Sequence, residues 1–179
     1  VDISVGLSYI IFISGTENTS TRLLLTLSYI AWVLFIKPGS SSLMVGVQAM
    51  LAQFVAMVAL FSKFSGASIT ILVLATWLVC YSVARHFFSS FDEPNTRVMA
   101  NVWGVFGGEL AWVLSHWTLA YGPLPQIAVL LTVIGYSFAV SYYMRSAKGL
   151  NNSQKNQFII ITAVVVLIIA LLSQWQYNG

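Results

Sequence analysis

Charge is scarce in this chain. Of its 179 residues only eight are Lys or Arg and five are Asp or Glu, 7% together, against roughly 25% in soluble domains. So few charges leave a soluble fold little with which to cover its surface, and lipid is the expected solvent. The net charge of +3 is small and dispersed, which excludes a nucleic-acid partner. A single cysteine, Cys80, excludes an internal disulfide and any cysteine-based metal cluster. His86 and His116 are the only histidines; His116 lies roughly 10 Å along the axis from Glu109, too far to chelate one ion with it, His86 sits at the far end of another run, and the pair is not spaced to sandwich a haem, so no metal and no cofactor are expected.

Catalytic patterns are missing as well. The chain has no G-x-S-x-G, no H-E-x-x-H and no two carboxylates within one apolar run. None of its lysines lies mid-run, where a retinal Schiff base would need it. Gly104, Gly107 and Gly108 lack the preceding strand and the following Lys-Ser/Thr of a phosphate loop. Intramembrane catalysis is therefore not expected. Asn18-Thr19-Ser20 and Asn151-Asn152-Ser153 fit the glycan acceptor pattern but read as ordinary polar loop residues.

What the chain does have is apolar length, with 58% hydrophobic residues. Long runs fall at about 21–36, 42–61, 66–88, 97–121, 124–144 and 157–173. Each is continuous where a barrel strand would alternate, and only helices or closed barrels satisfy their backbone in hydrocarbon. The expectation is an all-α integral membrane protein, a compact bundle of six transmembrane helices with short loops and no soluble domain. Residues 21–175 form that single domain. Residues 1–20 make a short apolar and polar segment, an interfacial or truncated helix that is possibly a partial seventh. Breakers and polar turns separate the spans: Lys37-Pro38-Gly39, Ser62–Ser65, Ser89–Thr96, Gly122–Pro125 and 145–156.

Lys37, Arg85, Arg97, Arg145, Lys148 and Lys155 collect on one side, and only Arg22 and Lys63 on the other. The positive-inside rule then makes the 37–41, 89–97 and 145–156 loops cytoplasmic, in a plasma or inner membrane. Trp175 and Tyr177 sit where an interfacial belt would place them.

Glu109 is the one carboxylate inside an apolar run, near the middle of the 97–121 span. A charge in that position is a functional hypothesis by default, suited to proton coupling or cation binding. At 100° per residue Glu109, Trp112 and His116 share a face with Val98, Val102, Val105 and Val113. Gly104, Gly108, Ala111 and Ser115 form a small-residue packing face, and Trp103, Leu110, Leu114 and Trp117 a third that reads as facing lipid or a partner. Ala49, Ala52, Ala56 and Ala59 make a similar small stripe on the 42–61 span, with Gln53 placed to bond Glu109. On the 124–144 span Thr132, Tyr136 and Tyr143, with Gly135 and Ala139, read as inward-facing. The 157–173 span has one polar side chain, Thr162, and reads as peripheral.

Glu109, His116, Trp112, Gln53 and Tyr136 are thus the candidate ligand- or proton-binding residues. Arg85, His86, Asp92, Glu93 and Arg97 are candidates for a cytoplasmic docking patch, their blander reading being local ion pairs. The expected function is small-molecule or ion binding or transport, with Glu109 in a central polar site. The alternative is an accessory or scaffold subunit of a larger membrane complex. Lipid, other membrane subunits or further copies of the chain are the expected partners.

Overall fold

Asn18 ends the first apolar run and starts the next helix. Its carboxamide accepts the Ser20 N–H at 2.9 Å, the usual way to satisfy an orphan donor at a helix start. A computed structural model describes residues 1–36, 42–121, 124–148 and 151–177. Side chains are described except at 36–43, 117–123, 143, 145–150, 152, 155 and 174–179. The turn at 37–41 therefore lies outside the described residues, as do the side chains of Tyr143, of the cations in the 145–156 loop and of the Trp175–Tyr177 belt.

The described chain is built from seven helices: α1 (Asp2–Ser14), α2 (Thr19–Ala31), α3 (Ser42–Lys63), α4 (Ile69–Ser89), α5 (Thr96–Leu114), α6 (Gln126–Lys148) and α7 (Asn152–Leu172). A π-helical turn, Trp32–Ile36, continues α2. Among the described residues two helices are long and apolar enough to cross a membrane, Met44–Lys63 and Ile69–Ser89. The apolar stretches Asp2–Ser14, Thr19–Phe35, Gln126–Tyr142 and Asn156–Leu172 are shorter, at 10–17 residues. Within its 19 residues α5 carries Arg97, Asn101 and Glu109, which lowers its apolar content.

Small residues decide which helices touch. Gly104, Gly107, Gly108 and Ala111 are buried and let α5 lie directly on α4, the most extensive contact in the molecule. On α3, Ala49, Ala52, Ala56 and Ala59 are all buried, and α3 packs on α1, α4 and α6. One core cluster joins Val5, Trp32, Ala49, Ala52, Val83 and Phe87; a second joins Met57, Cys80, Ala111, Ile127, Ala128 and Leu131. α7 contacts chiefly α6 and leaves Ile159, Ile160, Ile161, Leu167, Leu171 and Leu172 each more than half exposed. Exposed large apolar side chains also cover α1, α2, α4 and α5.

The helix expected over 97–121 stops at Leu114. The Ser115 hydroxyl donates to the Ala111 carbonyl at 2.6 Å, and the backbone then turns extended. Strand β1 (Trp117–Tyr121) lies between β2 (Leu124–Pro125) and β3 (Gln174–Tyr177), antiparallel to both. β1 is rich in aromatic and β-branched residues, which suit a pleated surface. Glu109 consequently lies in the last third of its helix rather than near the middle of a long span.

Candidate functional site

The faces of α5 are not disposed as the periodicity alone suggests. The glycine face meets α4: a Cβ built on Gly104 would stand 2.9 Å from the Trp77 ring, and one on Gly107 2.5 Å from Cys80 Sγ. Trp103, Leu110 and Leu114, expected to face lipid or a partner, instead pack with Phe106 against the second core cluster. Those two faces use up the inward sectors of the helix. What remains outside is the stripe of Val98, Val102, Val105, Glu109, Trp112 and Val113, all exposed.

Glu109 is therefore on the outer surface of α5 and not in a central polar site. Trp112 is 57% exposed and Tyr136 51%, so neither converges on an interior site. His116, half-buried, is held to its own helix end, with Nδ1 2.8 Å from the Trp112 carbonyl and its ring edge-on to that indole at 5.1 Å. Gln53 is buried but does not meet Glu109. Its side-chain nitrogen donates to the Leu131 carbonyl at 2.9 Å, and its oxygen accepts the Trp103 indole N–H at 2.9 Å.

The docking candidates at the α4–α5 turn also separate. Arg85 and Arg97 are exposed and line a shallow polar recess with Ser89, Pro94, Asn95 and Thr96. His86 turns inward, its Nε2 3.4 Å from the Gln48 side-chain oxygen. Glu93 accepts a hydrogen bond from the Tyr142 hydroxyl of α6. Asp92 is exposed and holds the turn with φ 52°, a left-handed conformation that Asp tolerates better than most residues.

A different site emerges among the four central helices. α3 packs closely on α4 and α6, and α4 on α5, whereas α5 and α6 scarcely touch. The space so left is a cavity of about 200 Å³. Gly46 and Ala49 of α3, Ala84 of α4, and Gly135 and Ala139 of α6 give it room; Phe87, Phe88, Trp103, Phe138 and Tyr142 give it aromatic walls. Its lining includes no charged side chain, and its polar side chains are Gln53 and Tyr142, both hydrogen-bonded.

Most wall positions recur every four residues: Gly46 and Met50, Ala49 and Gln53, Val83 and Phe87, Ala84 and Phe88, Met99 and Trp103, Gly135 and Ala139, Phe138 and Tyr142. Side chains four apart stack on one helix face, so each helix offers the cavity consecutive turns. At the loop end, the rings of Phe87, Phe88 and Phe91 stand 5.9, 5.3 and 5.3 Å from Tyr142. At the inner end, the Gln53–Trp103 pair closes the floor.

Sequence reasoning found Gln53 but missed Trp103, Phe138 and Tyr142. The available signal was Gln53 itself, since a buried carboxamide needs partners and the nearby tryptophans each carry one donor. Gly135 and Ala139 face inward as expected, although Tyr136 beside them does not. Compared with known protein families, curated proteins and solved structures, the chain matches none. Among the described residues no group of three or more His, Cys, Asp or Glu is placed to hold a metal ion.

Proposed function

We propose that this chain is a multi-pass membrane protein that binds a small, largely apolar molecule in the α3–α6 cavity, as a binding or transport component. The cavity carries this reading. An uncharged, aromatic-walled space between helices is where small-molecule sites are found, and ions would find no counter-charge there. Its volume exceeds the ~150 Å³ at which an apolar protein cavity takes up benzene.

The membrane part rests on three observations. Large apolar side chains are exposed along α1, α2, α4, α5 and α7, far beyond what soluble monomers expose. Gly15, after α1, lies near the Lys63 ammonium at the end of α3, and β3 brings the end of α7 beside the end of α5. Both fit helices that cross in alternation. Six spans, near 21–36, 42–61, 66–88, 97–114, 126–144 and 157–173, then place the 37–41, 89–97 and 145–156 loops in the cytoplasm.

The test uses the protein in lipid nanodiscs, with apolar aromatic and aliphatic probes read by native mass spectrometry. Saturable binding that Ala139→Phe abolishes, with helical circular dichroism unchanged, is expected. Binding insensitive to that substitution, or none for any probe, rejects the cavity as the site.

A second reading, an accessory subunit of a larger complex, draws on the exposed α5 stripe around Glu109. It expects a defined partner subunit whose association Glu109→Ala weakens. Unchanged association would remove its main support.

A further inference from the structure

We infer that the cavity fills from its side, and that its ligand is a hydrocarbon chain of a bilayer lipid passing between α5 and α6. This rests on the binding reading above and adds the ligand class and its route.

The mouth is located by residues that both line the cavity and face outward. Val102 of α5 is 62% exposed and Phe138 of α6 64%. On the α3–α4 side, by contrast, Ala49, Gln53 and Phe87 are no more than 7% exposed. The cavity thus has a closed back and an open flank. Across that flank the α5–α6 ring contact is the edge-to-face pair Trp103–Phe138, at 5.9 Å between centroids. A single edge-to-face contact on an exposed phenylalanine is less than a packed helix seam.

Both ends are lined by groups whose polar atoms already have partners. Towards the α4–α5 turn stand the phenylalanines around Tyr142 and its bond to Glu93. Towards the other end the Gln53 carboxamide already has its acceptor and its donor. A solute from water meets a wall at either end, whereas a chain already in the bilayer meets the opening.

Shape points the same way. The lining runs from Gly46 to Gln53 on α3 and from Gly135 to Tyr142 on α6, ~10 Å along each axis. About 200 Å³ over that length is a slot, suited to several methylenes in file rather than to a fused ring system. A chain moving from lipid into such a slot exchanges one apolar surrounding for another, so fit and packing set its occupancy. Exchange with bulk lipid follows from that balance.

The experiment uses the full chain in nanodiscs containing phosphatidylcholine with a diazirine midway along one acyl chain. After illumination, labelled residues are mapped by mass spectrometry. Labelling is expected at the buried cavity positions Gln53 and Ala84, 3% and 6% exposed, and at outward Leu167. Ala139→Phe should remove at least nine-tenths of the interior labelling and leave Leu167 unchanged, which also reports a folded protein. Should Ala139→Phe misfold, Val102→Trp at the mouth replaces it, with the same loss expected.

A small benzene-based diazirine added from water separates the two ideas. If it labels Gln53 or Ala84 and the lipid does not, the lipid-chain inference is overturned while the binding reading stands. If neither probe reaches Gln53 or Ala84, both are overturned. Interior lipid labelling that persists undiminished in both variants also overturns the lateral route.

Discussion

The Trp103 indole donates to the Gln53 side-chain oxygen at 2.9 Å, and the Gln53 nitrogen donates to the Leu131 carbonyl at the same distance. One carboxamide thereby joins α5, α3 and α6, and it fixes the indole as a wall of the cavity. Gln53→Leu removes both bonds and leaves the indole N–H without its acceptor. A loss of about 1 kcal/mol is expected, because interhelical hydrogen bonds in membranes are individually modest. Thermal unfolding of variant and parent in the same lipid measures it. Equal stability would mean that the pair orients the ring without holding the helices.

Three neighbouring glycines should respond differently to alanine. A Cβ on Gly104 would meet Trp77 at 2.9 Å, and one on Gly107 would meet Cys80 Sγ at 2.5 Å, both too close. On Gly108 its nearest neighbours are at 3.6 Å, ordinary contact. Gly104→Ala and Gly107→Ala should each cost about 1–3 kcal/mol through overpacking. Gly108→Ala should be neutral or gain up to about 1 kcal/mol from helix propensity. A reversed ranking would mean that α4 and α5 pack in another register.

Gln126 is 1% exposed, and neither polar atom of its side chain has a partner among the described residues; the Thr76 hydroxyl is likewise buried and unpaired. Leaving such groups unmatched costs about 1–3 kcal/mol. Gln126→Leu and Thr76→Val are therefore expected to raise the unfolding temperature or leave it unchanged. A fall of several degrees for either would reveal a polar partner, such as a bound water.

Glu109→Gln should not lower the isolated protein's stability, because the side chain faces outward from α5 and an ionisable group on a lipid-facing surface is a cost rather than a support. Binding in the cavity should also be unaffected. A central polar site would give the opposite result, with ligand or proton coupling lost, so a titration of the variant against the parent decides.

Small-residue periodicity was readable because it needs only helical geometry. The alanines of α3 and the glycine face of α5 both became contacts. Periodicity groups residues into faces but does not say which face turns inward. On α5 two apolar faces competed for the interior, and the one bearing Glu109 was left outside. The end of α5 was hidden for another reason. Trp117 to Tyr121 reads equally well as helix or strand, and its strand pairing comes from residues far along the chain. The cavity was illegible in principle, since it exists where α5 and α6 fail to meet.

The position of β1 between β2 and β3 also bears on how the molecule is made. β2 follows at once and can pair as soon as the turn is synthesised, but β3 emerges only after α6 and α7. Until then the second edge of β1 stands open, an invitation to pair with another chain. Closing it late is slow, because the strands to be joined are separated by two whole helices. The nascent protein thus has its most vulnerable interval between completing α5 and releasing α7, and conditions that delay completion of the last helix pair should favour aggregation through that strand.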